Sequence, residues 1–112
     1  MRKLTQGRKP AKPKPPLERE IQKQIVKYLR LKGWQVWQTS QGYRSAPGGT
    51  RMTPGLPDLY CLNEVRQWIL WIEVKRPGGK LRPEQAIFRN LHDQMGLVLV
   101  AYSLDDVREV IG

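Results

Sequence analysis

Apolar residues recur at intervals of three and four along the segment that begins at Leu17. The repeating positions are Leu17, Ile21, Ile25, Tyr28 and Leu29. This spacing places them on one stripe of a helix with 3.6 residues per turn, and Gly33 is a typical residue at the end of a helix. The pattern predicts an amphipathic helix up to Gly33, followed by a first strand at 34–38.

Two further apolar segments, 58–62 and 67–75, are separated by the polar residues 63–66, which predicts a β-hairpin. Side chains alternate along a strand, so the second segment has one apolar face and one face that ends in charged residues. The apolar face carries Trp68, Leu70, Ile72 and Val74, and the other carries Ile69, Trp71, Glu73 and Lys75. Glu73 and Lys75 therefore project side by side near the end of the strand.

The last third of the chain predicts a helix, a strand and a closing helix. Pro83 suits the first position of a helix that runs to about Met95, and Gly96 suits its C-terminal cap. The continuous apolar run at 97–102 predicts a buried parallel strand, and a short helix is expected at 105–111. The element order α-β-β-β-α-β-α predicts a single α/β domain in which helices flank a mixed β-sheet.

Two polar segments interrupt this pattern. Residues 1–16 contain six basic residues, four prolines and no acidic residue, which predicts a flexible basic arm ahead of a domain at 17–112. Residues 39–57 are rich in Gly and Pro and include Arg44 and Arg51. A loop of this length in a compact domain is usually functional or disordered.

Composition and charge narrow the classes of function. The net charge is +10, and the segment 17–112 accounts for only +4 of it, so the chain suits a polyanion, either a nucleic acid or an anionic membrane surface. With one cysteine, Cys61, and one histidine, His92, an internal disulfide is excluded and a four-ligand zinc site is disfavoured. No apolar run reaches the ~20 residues of a membrane helix, and no signal-peptide pattern is present. We therefore expect a cytoplasmic protein.

Asp58 and Glu73 are the candidate chemical groups. Asp58 opens the first hairpin strand, and the hairpin would bring it beside Glu73. Two carboxylates at one point repel each other unless a cation lies between them. Hard oxygen ligands with Lys75 nearby suit Mg²⁺ or Mn²⁺, with a phosphate as a further ligand. The arrangement predicts metal-assisted hydrolysis of a phosphate ester, in which Lys75 positions the attacking water or balances developing charge.

The same residues carry a family resemblance. Pro57-Asp58 followed by Glu73-Val74-Lys75 resembles the PD-(D/E)xK nuclease superfamily, and the fuller pattern resembles its VRR-Nuc branch, the virus-type replication and repair nucleases. The matching segments lie within 17–102 and are Glu18-x-x-Ile21-Gln22, PGLPD at 54–58, Glu73-Val74-Lys75, Gly78-Gly79-Lys80-Leu81 and Gln85. The resemblance implies a restriction-endonuclease-like fold and metal-dependent cleavage of phosphodiester bonds.

The resemblance also implies roles for individual residues. Asp58, Glu73 and the backbone carbonyl of Val74 would bind the metal, Lys75 would lie beside the nucleophilic water, and Gln85 would support the site from its helix. The family further places an acidic ligand on the first helix, where two glutamates are available. Helical geometry puts Glu18 on the face that packs against the sheet and Glu20 off it, which favours Glu18 over Glu20.

Other residues have weaker claims to function. Cys61 is expected in the core and His92 on the surface, and the tryptophans at 34, 68 and 71 suit packing better than base stacking. Four basic residues flank the candidate site in sequence and would either contact phosphates or lie on ordinary solvated loops. They are Arg44, Arg51, Lys80 and Arg82.

We expect a Mg²⁺-dependent endodeoxyribonuclease, with Mn²⁺ able to substitute, that acts on branched or structured DNA in the manner of a Holliday junction resolvase. The resemblance further implies a homodimer of phage or mobile-element origin. The alternatives are a flap or single-strand nuclease, a non-specific DNA nuclease, or a non-catalytic basic nucleic-acid-binding module. The intact set of Asp58, Glu73 and Lys75 favours a catalyst over a binding module.

Overall fold

The computed structural model describes residues 14–39 and 55–112. The basic arm up to residue 13 and the segment 40–54, which contains Arg44 and Arg51, lie outside the described residues. The helices are α1 (Glu18–Leu31), α2 (Pro83–Asp93) and α3 (Leu104–Ile111), and the strands are β1 (Gln35–Gln38), β2 (Leu59–Asn63), β3 (Trp68–Val74) and β4 (Val98–Ala101). The predicted element order is confirmed, and every predicted boundary lies within two residues of the observed one.

The four strands form one mixed sheet in the order β1-β2-β3-β4. β2 pairs antiparallel with both β1 and β3, whereas β3 and β4 are parallel and are connected through α2. The predicted hairpin and the parallel direction of β4 are therefore confirmed. The prediction that β4 is buried is wrong for three of its four residues, because β4 lies at an edge of the sheet and only Ala101 is buried.

The hydrophobic core lies between one face of the sheet and the two helices α1 and α3. Its members are Ile21, Ile25, Val26, Leu29, Trp34, Val36, Leu59, Cys61, Leu70, Ile72, Val74, Ala101, Val107 and Ile111. Cys61 is a core residue, as predicted, and burial raises the pKa of its thiol to about 12. Trp34 packs edge-on against Trp68 with ring centroids 5.3 Å apart. These two tryptophans are thus packing residues, as predicted.

The opposite face of the sheet is covered differently. α2 packs against it on the side of β3 and β4, where Phe88 meets Trp71 with ring centroids 5.5 Å apart. His92 stacks on Phe88 at 4.0 Å and is half-buried, so it is part of this packing rather than a fully exposed histidine. The only buried residue of α2 is Gln85. This helix therefore contacts the sheet through the half-buried Phe88, and the one side chain that it buries is polar.

The end of α1 follows from a glycine. Gly33 has a φ of +90°, a left-handed conformation that is costly for residues with a Cβ atom. The backbone N–H of Trp34 then donates to the carbonyl of Leu29 at 2.9 Å, which closes the helix and starts the chain toward β1. In the described ranges, no helix combines the length and the apolar character required to cross a bilayer.

Candidate active site

The hairpin register brings Asp58 and Glu73 together. Leu59 pairs with Ile72, so the residue before β2 lies opposite Glu73. The regular pairing of β2 with β3 begins at Leu59, so Asp58 lies just outside that ladder of backbone hydrogen bonds. The carboxylate of Asp58 takes over as acceptor, and its Oδ2 receives the backbone N–H of Val74 at 2.8 Å. Both carboxylates therefore lie at one end of the hairpin.

The segment that carries Asp58 is held from two sides. Thr39, directly after β1, donates its backbone N–H to the carbonyl of Asp58 at 2.9 Å and its hydroxyl to the carbonyl of Pro57. On the other side, Gly55 has a φ of +91° and lies so close to α2 that an added Cβ would be 2.5 Å from the carbonyl oxygen of Glu84. Only glycine fits this contact, which links the segment to the first turn of α2.

Gln85 connects α2 to Glu73. Its Oε1 accepts the backbone N–H of Arg82 at 2.8 Å, and its Nε2 donates to Glu73 Oε2 at 3.0 Å. The first bond satisfies a free N–H at the start of the helix, as the second half of a capping box does. Because each side of the amide has one partner of the matching kind, the orientation of the amide is determined. The supporting role of Gln85 in function stays a prediction.

The two oxygens of the Glu73 carboxylate differ in their surroundings. Oε2 receives the Gln85 amide and has the ammonium of Lys75 at 3.7 Å. Oε1 is buried and has no hydrogen-bond partner among the described residues. Burial and, after it, the nearby Asp58 together raise the pKa of Glu73 from its ordinary 4.5 to about 8, against a smaller lowering by Lys75. A cation or a proton bound at Oε1 would relieve this unfavourable environment.

This donor set fits a divalent cation. A cation beside Oε1 would offset both the desolvation of Glu73 and its repulsion from Asp58. Within 14–39 and 55–112, no group of three or more His, Cys, Asp and Glu side chains is placed to hold one ion. The carboxylates that the described residues bring together are those of Asp58 and Glu73, and further oxygen ligands would come from the Val74 carbonyl and from a phosphate.

The structure separates the two glutamates of α1. Glu20 Oε1 accepts the backbone N–H of Leu17 at 2.8 Å and so caps the start of its own helix. Glu18 lies close enough to the site for its charge to raise the pKa of Glu73. This placement favours Glu18 over Glu20 as the acid of the site. Direct metal ligation by Glu18 stays a prediction.

Two of the four basic candidates lie within the described residues. Lys80 and Arg82 are exposed on the connection that leads from β3 into α2. The guanidinium Nε of Arg82 is 3.4 Å from Glu84 Oε1, an exposed ion pair that contributes little to stability. Both side chains can thus turn toward a phosphate without a large cost.

Sequence reasoning missed Thr39 and Trp37, which have no recognisable motif of their own. Thr39 anchors the Asp58 segment, and Trp37 lies on β1 with 48% of its surface exposed. The only feature of the sequence that could have indicated Thr39 is its position directly after a predicted strand. The alternation along 34–38 could have separated Trp37 from the buried Trp34, since it places the two side chains in different environments.

We expect the metal-free protein to lose stability as the pH rises from about 5 to 8. The unfolded chain releases the Glu73 proton near pH 4.5, whereas the folded chain holds it up to about pH 8. The free energy of unfolding therefore falls as the pH rises between these two values. Each 1 kcal/mol of this effect lowers the melting temperature by roughly 4–8 °C. The measurement is thermal unfolding in EDTA across this pH range. Glu73→Gln should show a flatter profile, and identical profiles for both proteins would contradict the assignment.

Comparisons with known proteins agree with this architecture. A family model described as the VRR-NUC domain matches residues 17–104. A solved structure titled "VRR_NUC domain" is similar to this chain with a TM-score of 0.65 and 26% sequence identity, and the match covers 84% of this chain and 92% of that chain. No curated protein matches. The family resemblance inferred from the motifs is thereby confirmed, together with the restriction-endonuclease-like fold.

Proposed function

Because this chain belongs to the VRR-NUC family, whose members are nuclease-type domains, we propose that it is a divalent-metal-dependent endonuclease that hydrolyses phosphodiester bonds in DNA. The observation that carries this proposal is the environment of Glu73. A buried carboxylate oxygen without a partner, beside a second carboxylate, is unfavourable in isolation and suits a cation-binding site. The high positive charge of the chain supports a nucleic acid as its substrate.

Each residue of the site has a role in this proposal. Asp58, Glu73 and the Val74 carbonyl hold Mg²⁺, or Mn²⁺ in its place, which when bound polarises the phosphate and makes water more acidic. Gln85 holds Glu73 by Oε2 and so leaves Oε1 available. Lys75, whose side chain is 12% exposed, positions the attacking water or balances the negative charge that develops on the phosphate.

We further propose a homodimer that acts on four-way DNA junctions. Ile87 and Leu91 lie one turn apart on α2, with 60% and 71% of their surfaces exposed. Adjacent exposed apolar side chains of this kind favour a protein–protein contact. A two-fold dimer is the commonest oligomer of small chains, and it would place two sites in the fixed relation that paired cuts at a junction require.

The test is a cleavage panel with the full-length chain. Labelled linear, flap, splayed single-stranded and four-way DNA are incubated with Mg²⁺, with Mn²⁺ and with EDTA, and light scattering gives the mass in solution. We expect metal-dependent cleavage, paired nicks near the branch point of the four-way DNA, and the mass of a dimer. Binding without cleavage under all conditions would indicate a non-catalytic module. Equal cleavage of all substrates by a monomer would indicate a non-specific nuclease instead.

A further inference from the structure

A row of three aromatic side chains crosses the sheet on the face opposite the core. Trp37, Tyr60 and Trp71 are direct cross-strand partners on β1, β2 and β3. Their ring centroids are 5.3 Å apart between Trp37 and Tyr60, and 5.0 Å apart between Tyr60 and Trp71. We call these three residues the aromatic row.

The aromatic row lies directly beside the candidate active site. Tyr60 follows Asp58 by two positions, and Trp71 precedes Glu73 by two positions. Residues two apart on a strand point to the same face and are separated by roughly 7 Å. Trp71 and Glu73 therefore lie on the same face of the sheet, and the row crosses the sheet next to the end of the hairpin that carries the two carboxylates.

The two ends of the aromatic row differ in their cover. At one end, Phe88 of α2 packs edge-on against Trp71 and holds it in place. At the other end, Trp37 lies on the edge strand β1 with 48% of its surface exposed, and Tyr60 is half-buried. Among the described elements, α2 is the only helix on this face, and its contacts are with β3 and β4. Within residues 14–39 and 55–112, the ring of Trp37 is thus the exposed end of a row that lies on the same face of the sheet as Glu73.

We propose that Trp37 and Tyr60 bind an unpaired nucleobase of the substrate by stacking, next to the phosphate that is cleaved. This inference rests on the proposed nuclease function and specifies its substrate class. A nucleobase in a continuous duplex is paired and stacked on its neighbours, so it cannot present a free face to Trp37. The substrate is therefore nucleic acid with an unpaired nucleotide at the cleavage position, as in a single strand, a flap or an open branch point. Stacking on an aromatic side chain suits any of the bases.

The test measures binding of the full chain in EDTA, so that cleavage is not involved. A labelled single strand is compared with the duplex of the same sequence. We expect Trp37→Ala to weaken single-strand binding by about 5- to 150-fold, from the usual 1–3 kcal/mol per stacked base. Duplex binding should change by less than about twofold, and Trp37→Phe should retain most of the single-strand affinity because it keeps an aromatic face.

Ile69 provides a matched control. It is a large apolar residue on the same face of β3, 40% exposed, and pairs with Leu62 at the end of the strand remote from Glu73. Ile69→Ala should bind both DNA forms as the wild type does. An abasic single strand tests the ligand side: the wild type should lose affinity for it, whereas Trp37→Ala should bind normal and abasic strands alike. Because normal and abasic strands are compared on the same protein, the comparison remains valid for a variant whose stability is altered.

Several results would overturn the inference. They are unchanged single-strand binding by Trp37→Ala, an equal loss for duplex DNA, the same loss in Ile69→Ala, or equal wild-type binding of normal and abasic strands. A loss of thermal stability in Trp37→Ala with unchanged binding would mean that the row packs against the chain itself. Absence of metal-dependent cleavage by the wild type would instead reject the nuclease function, and the binding comparison in EDTA would not report that failure.

Discussion

Replacing Glu73 by glutamine is expected to lower metal-dependent cleavage by at least about 10³-fold, since it removes a charged oxygen from the cation site and several kcal/mol of transition-state stabilisation with it. Asp58→Asn should have a comparable effect, because the two carboxylates face each other across the end of the hairpin. DNA binding in EDTA should be unchanged or tighter in both variants, because Asp58→Asn removes a negative charge near the site and Glu73→Gln replaces a carboxyl group that keeps its proton up to about pH 8 without metal.

Cleavage of a labelled junction under single-turnover conditions measures the first effect, and a binding assay measures the second. Glu109→Gln is the matched control, because it makes the same chemical change at an exposed position on α3. It should cleave as the wild type does. Metal-dependent cleavage near the wild-type rate by purified Asp58→Asn or Glu73→Gln would show that this carboxylate pair is not the metal site.

Lys75→Ala is expected to lower the cleavage rate by about 10²- to 10³-fold, the usual cost of removing one group that stabilises developing charge. The Lys75 ammonium lies 3.7 Å from Glu73 Oε2 and its side chain is largely buried, which holds the positive charge beside the carboxylates. Lys75 is not a metal ligand in this proposal. The metal concentration that gives half-maximal cleavage should therefore change little.

The measurement is the cleavage rate as a function of Mg²⁺ concentration, which separates the maximal rate from metal affinity. Lys32→Ala serves as the control of equal charge change, because Lys32 is exposed just after α1. If Lys75→Ala needed much more metal but reached the wild-type maximal rate, Lys75 would act in metal binding rather than in the chemical step.

The amino-acid sequence alone determined the elements and their order. The stripe of Ile21, Ile25 and Leu29 and the alternation along β3 are periodic patterns, and a periodic pattern is compatible with only one kind of element over its length. Gly33 and Pro83 then set the end of α1 and the start of α2 through backbone constraints that act locally. These features depend on neighbours in the sequence, and for this reason they were predictable.

The meeting of Asp58 and Glu73 was also predictable, although the two residues are far apart in the chain. A short turn joins β2 and β3, and it sets the register in which Leu59 pairs with Ile72. Once that register is known, the position of Asp58 opposite Glu73 follows. The spacing between Pro57-Asp58 and Glu73-Val74-Lys75 in the motif indicates the same pairing.

Only the tertiary structure decided how the site is completed. The orientation of the Gln85 amide, the unpartnered Glu73 Oε1 and the contact of Gly55 with α2 all join elements that are remote in sequence. The burial of β4 was mispredicted for the same reason, since apolar composition does not specify whether a strand lies at the centre or at the edge of a sheet.

The aromatic row is the clearest case of a feature that the sequence conceals. Trp37 lies more than twenty residues before Tyr60, and nothing in the intervening sequence indicates that the two rings meet. Their contact depends on the pairing of β1 with β2, and their exposure depends on where α2 packs. Local periodicity determines which way a side chain points, whereas the packing of distant elements determines what it meets and whether solvent or substrate can reach it.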